Sequence, residues 1–106
     1  MRNLDLIALS KVAQGDKNYA RLRLNRPDAR NALNNQLARD LYAACAALAE
    51  DHDISLVVIE AEGSVFCAGA DVKERAALDE DQVRARRLRG FRAYAAIEAL
   101  PMPVIC

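Results

Sequence analysis

The apolar run from Ile54 to Ile59 in "ISLVVIEA", broken only by Ser55, limits the architecture of this 106-residue chain more than any other feature. It is short, rich in valine and isoleucine, and bounded by the polar "DHD" before it and "EAEGS" after it. Those properties read as a β-strand, and the lack of apolar–polar alternation predicts a strand covered on both faces. Just upstream, in "NALNNQLARDLYAACAALAE", Leu33, Leu37, Leu41, Cys45 and Leu48 recur at intervals of four, four, four and three. That is the apolar stripe of an amphipathic helix, with Asn34 or Asn35 as its N-cap. A helix feeding an apolar strand is the pattern of an α/β unit built on a parallel sheet.

The N-terminal segment adds a hairpin. Tyr19, Arg21 and Arg23 alternate with Ala20, Leu22 and Leu24, a period of two that predicts a strand; Gly15-Asp16 supplies the turn after a first strand over about Leu4 to Val12. Pro27 stops the second strand because it cannot donate to a ladder. Downstream, "VKERAAL" predicts a short helix and "DEDQVRARRLRGFRAYAAIEAL" a long one, whose start suits Asp79, Glu80 and Asp81 electrostatically. Pro101 and Pro103 end it, and "PVIC" reads as the beginning of another buried strand.

At 53% hydrophobic and 28% charged, the chain has the balance of a single globular domain rather than a disordered segment. Fifteen basic and fifteen acidic residues cancel, so no overall field recruits nucleic acid or an anionic membrane, and any anion binding must be local. Five arginines fall within nine positions in "RARRLRGFR", Arg84 to Arg92. They read as a solvated helix face, or alternatively as a phosphate or subunit contact. The start of the chain has no continuous apolar core of a secretory signal, and no run approaches the roughly 18 apolar residues of a membrane span. Cys45, Cys67 and Cys106 are widely spaced, with His52 the only histidine, which fits a reduced, cytoplasmic protein without a metal site.

Chemistry is concentrated in "SVFCAGADVKE", Ser64 to Glu74. A small-residue loop between a strand and a helix start exposes backbone N–H groups that have no helical partner and can face an oxyanion. Gly69 permits a positive φ or a close backbone approach, Ala68 and Ala70 leave room for a ligand, and Asp71 caps the helix that follows. Taken alone, "AGAD" is weak evidence and reads more readily as an ordinary strand–loop–helix turn. Glu74 and Glu98 read as helix-surface charges, His52 as solvent-facing, and Cys67 lacks a histidine to activate it.

"LNRPDARNALNNQL", then the apolar strand, then "FCAGADVKE", a long helix and "PMPVI" resemble, in order and spacing, the N-terminal part of the enoyl-CoA hydratase/isomerase (crotonase) family. The resemblance implies an α/β, crotonase-like (ββα spiral) fold, truncated, with residues 1–106 as the N-terminal portion of one acyl-CoA-binding domain. It implies acyl-coenzyme A thioester substrates, with coenzyme A as part of the substrate and no separate cofactor. The activity it implies is hydration of a 2-trans-enoyl-CoA or related enolate chemistry in fatty acid metabolism, with two backbone N–H groups holding the thioester oxygen. Ala70 matches the first donor, while Ala68, Asp71 and Val72 match positions lining the thioester and adenine ends. Ala29, Arg30 and Ala32 match the loop packed on the coenzyme, with Arg30, and less strongly Lys73, suited to a phosphate. The second donor and the catalytic glutamates follow the "P-V-I" strand in the family's pattern, so these 106 residues alone are expected to be inactive. A homotrimer or hexamer is implied for the full domain. The alternative is a non-catalytic acyl-CoA-binding or oligomerisation module.

Overall fold

The computed structural model describes residues 3–106. Strands β1 (Ile7–Gln14), β2 (Lys17–Leu24), β3 (Ile54–Ala61) and β4 (Val104–Ile105) form one sheet in that spatial order. β1 and β2 are antiparallel, with Ile7 opposite Leu24 and Gln14 opposite Lys17 across the Gly15-Asp16 turn. β3 runs parallel to β2, and β4 parallel to β3 with Val57 opposite Val104. Helix α1 (Asn35–Ala49) makes the first crossover; the short α2 (Val72–Ala76) and the long α3 (Glu80–Glu98) make the second.

The core lies between one face of the sheet and α1. Ile7, Leu9, Ala20, Leu22, Leu24, Val57 and Ile59 meet Leu37, Leu41, Ala44, Cys45 and Leu48. Each fully buried leucine contributes about 1.5–3 kcal/mol, so α1 owes its position to this stripe rather than to helix propensity. Asn34 is the N-cap of α1, its Oδ1 accepting the Leu37 N–H at 2.8 Å. Asp79 caps α3 in a reciprocal capping box with Gln82. Packing of α3 is sparse: Ala93 is buried, whereas Leu88, Phe91 and Tyr94 are exposed.

Three strand expectations need correction: β4, expected to be buried, is half-buried at Val104 and exposed at Ile105. The first strand runs from Ile7 to Gln14, not Leu4 to Val12. Leu4 donates to the Ile7 carbonyl in a turn, and the Leu6 N–H is taken by Oδ2 of buried Asp40 on α1 at 2.8 Å, so the residues before Ile7 are tied to the helix instead. β3 is covered on one face among the described residues: Leu56, Val58 and Glu60 are only half-buried. Their face of the sheet is shared by cross-strand ion pairs, Arg21 to Glu60 and Arg23 to Glu62, the latter at 2.8 Å. An unalternating run cannot distinguish a strand buried on both faces from one whose apolar side chains fill a half-open second face.

Candidate active site: a backbone donor held between two loops

Two segments that leave the C-terminal ends of β2 and β3 meet above the sheet. Residues Arg26 to Leu33 form one wall and Gly63 to Asp71 the other. Their contact is backbone to backbone. Ala68 N–H donates to the Arg30 carbonyl at 3.0 Å, Leu33 N–H to the Gly69 carbonyl at 2.7 Å, and Asp71 N–H to the Leu33 carbonyl at 3.1 Å. The last two bonds make an isolated parallel bridge, Leu33 to Ala70. In such a bridge one residue makes both bonds and its partner makes neither. Leu33 uses its N–H and C=O, so the N–H of exposed Ala70 is turned away from Leu33 and has no acceptor among the described residues.

The local sequence explains why the loop can do this. Gly69 has φ +95°, a conformation that side-chain-bearing residues rarely adopt, although open space surrounds it. Gly63 has φ +89° and sits so close to Pro27 that an added Cβ would lie 3.0 Å from the Pro27 Cβ, which lets the two loops approach. Asp71 caps α2, its Oδ1 accepting the Glu74 N–H at 3.1 Å while Oδ2 meets Arg26 Nη1 at 2.7 Å. The Glu74 N–H and the Arg26 guanidinium together hold the Asp71 carboxyl below the usual carboxylate range. Both carboxylate oxygens are thus committed to holding the loop.

The other residues singled out by sequence fall around the same junction. Ala29 ends the 3₁₀ turn Pro27–Ala29 and is half-buried. Arg30 follows with φ +55° and an exposed side chain. Ala32 is buried, Ala68 is exposed, and Val72 is 72% exposed at the first turn of α2. Beside the Ala70 peptide lies a cleft of about 320 Å³ whose walls include Val72, Val83, Phe91 and Tyr94. Arg75, Arg86 and Arg87 line the same cleft, so it joins apolar walls to basic ones, and a cleft of that kind can take a polar group that carries an alkyl chain. His52 is exposed, and so is Lys73.

Four residues that organise this junction are not evident from their sequence context. Asn31 is fully buried with φ +54°; its Oδ1 accepts the Arg26 N–H, and its Nδ2 donates to the carbonyls of Glu62 and Val65, each at 2.8 Å. Tolerance of positive φ by asparagine was the available signal. Arg26 joins the two walls, donating to the Ala32 carbonyl at 2.8 Å as well as to Asp71. Glu74, read as a surface charge, instead accepts the N-terminal Asn35 N–H of α1 at 3.0 Å and the Arg86 Nε at 2.8 Å. Arg86 also donates to the carbonyls of Leu33 and Asp71, each at 3.0 Å, so this member of the arginine run faces inward from α3.

Known proteins resemble this chain over most of its length. The family profile described as enoyl-CoA hydratase/isomerase matches residues 14–106. A protein of Bos taurus, enoyl-CoA hydratase domain-containing protein 2, mitochondrial, is 39% identical over 98% of this chain, which covers 34% of that protein. An enoyl-CoA hydratase from Bacillus anthracis superposes with a TM-score of 0.86 at 31% identity, covering 94% of this chain and 38% of its own. The Mycobacterium smegmatis enzyme gives 0.86 at 36% identity, covering 95% of this chain and 38% of its own. The chain therefore spans little more than a third of the relatives it matches and covers part of the crotonase-like fold. With the profile aligned over β2, α1, the Ala70 loop and α3, this chain belongs to the enoyl-CoA hydratase/isomerase family.

Proposed function

We propose that these residues form the coenzyme-facing part of an acyl-CoA thioester site, in which the Ala70 N–H is one of two backbone donors to the thioester oxygen. The observation that carries this reading is the outward-turned Ala70 N–H, left without an acceptor because Leu33 makes both bonds of their bridge. A preorganised donor of this kind stabilises a developing enolate oxyanion by about 3–4 kcal/mol, because it needs no reorganisation as charge forms. The reaction is hydration of a 2-trans-enoyl-CoA or related enolate chemistry. The acyl chain enters the cleft bordered by Val72, Phe91 and Tyr94, while Ala29, Arg30 and Ala32 pack along the coenzyme, with Arg30 on a phosphate. Coenzyme A arrives as part of the substrate. On this reading the second donor and the proton-moving carboxylates come from outside these 106 residues, which cover 34% of the Bos taurus relative and 38% of the Bacillus anthracis enzyme.

Isothermal titration of the 106-residue chain with crotonyl-CoA tests the reading. Saturable binding, weakened at least tenfold by Gly69→Val, is expected; no binding by the unaltered chain would overturn it. Loss of enoyl-thioester absorbance above background is not expected from these residues alone.

A second reading, a self-associating module, is favoured by one observation: Leu88, Phe91 and Tyr94 expose an apolar row on α3. Sedimentation of the chain distinguishes it, since stable association in the absence of crotonyl-CoA binding would favour the module.

A further inference from the structure

Arginines on two helices converge on a concavity that the thioester reading does not use. It measures about 460 Å³ and is lined by Ala38, Arg39 and Tyr42 of α1 with Arg89 and Arg92 of α3. Arg39 and Tyr42 are three residues apart, as are Arg89 and Arg92, so each helix presents its pair on one face. No acidic residue lines the concavity, and among the described residues none of the three guanidinium groups forms a salt bridge. Arg89 Nη1 donates to Asn35 Oδ1 at 3.2 Å, which anchors that side chain while leaving further N–H groups available. This contrasts with Arg86 three residues earlier, whose charge is met by Glu74.

Three guanidinium groups with no acid at the same concavity offer an anion a locally positive site. Guanidinium forks suit phosphate oxygens geometrically, and the Tyr42 phenol, half-exposed at the same concavity, adds an O–H donor. A chain with no net charge has no general attraction for an anionic membrane, so a local concavity of this size favours a small diffusing ligand.

The geometry points to a phosphate-binding site between α1 and α3, made by Arg39, Arg89 and Arg92 and taking a small phosphate or pyrophosphate ester. It is distinct from the Ala70 loop and from the phosphate contact proposed for Arg30. The test is titration of the isotope-labelled 106-residue chain with inorganic pyrophosphate at constant ionic strength, following the arginine Nε–H signals by nuclear magnetic resonance. Saturable shifts at Arg89 and Arg92 are expected. Arg39→Gln or Arg92→Gln should weaken the response about tenfold or more while core amides such as Leu22 stay unchanged. Arg84→Gln, at an exposed position outside this concavity, should leave it unaltered. Shifts that do not saturate, that fall equally in Arg84→Gln, or that are confined to Arg30 would each overturn the proposal.

Discussion

Leu33 and Ala70 divide the work of their bridge unequally: Leu33 donates to the Gly69 carbonyl and accepts from the Asp71 N–H, and Ala70 keeps its own N–H free of any acceptor among the described residues. A helix entry and a helix N-cap are thereby locked together, with the donor between them.

Gly69 allows that arrangement. At φ +95° with no neighbour within 4 Å of an added Cβ, Gly69→Ala meets backbone strain rather than a clash. The expected loss is on the order of 1–3 kcal/mol in urea unfolding. Gly15→Ala, in the hairpin turn, should leave crotonyl-CoA binding unchanged while Gly69→Ala weakens it.

Asn31→Ala removes one acceptor and two donors at once and leaves the Glu62 and Val65 carbonyls and the Arg26 N–H unpaired. The expected destabilisation is about 2–4 kcal/mol. Asn31→Asp retains only the acceptor and sets a carboxylate against two carbonyls, so its chemical-denaturation midpoint should also fall well below that of the unaltered chain.

Arg86 connects α3 to the carbonyls of Leu33 and of Asp71, the residue that follows Ala70. Arg86→Gln and Glu74→Gln are each expected to cost about 1.5–3 kcal/mol. The double variant should cost less than their sum, because the two side chains share one interaction. Strict additivity in a double-mutant cycle would contradict a direct coupling.

The carboxyls of Asp71 and Glu60 lie below their ordinary values, through the Glu74 N–H with Arg26 in one case and Arg21 in the other. Both bind protons more weakly folded than unfolded. Their contribution is therefore present above the ordinary carboxylate range and is lost as pH falls through the depressed folded values. Urea midpoints should decline as pH falls below about 5. Asp71→Asn, which can still cap α2, should make that decline shallower.

Burial pushes the Cys45 thiol up to about 11, whereas Cys106 is exposed. An aromatic disulfide reagent near neutral pH should label Cys106 rapidly and Cys45 only on unfolding. Equal rates would show that α1 is not packed on the sheet.

Much of the scaffold is legible in side-chain pattern. The period-two alternation of β2, the leucine stripe of α1, the Asn34 and Asp71 caps and the apolar β3 all follow from local chemistry, and "AGAD" with "DARNA" carries the family resemblance. What escapes is the long-range use of polar groups. Glu74 has the sequence context of a surface acid, yet it accepts the Asn35 N–H from another element. Arg86 is indistinguishable in sequence from Arg84 or Arg87; only the placement of α3 turns it toward Leu33 and Asp71. The start of β1 escapes for the same reason, since Asp40 claims the Leu6 N–H from 34 residues away.

On the proposed reading the thioester oxygen meets a single proton of this chain, that of the Ala70 amide. Titration of the isotope-labelled chain with crotonyl-CoA, observed at the Ala70 amide by nuclear magnetic resonance, should move that proton downfield saturably as the thioester oxygen accepts it. Saturable binding seen elsewhere on the chain with the Ala70 amide unmoved would contradict the account.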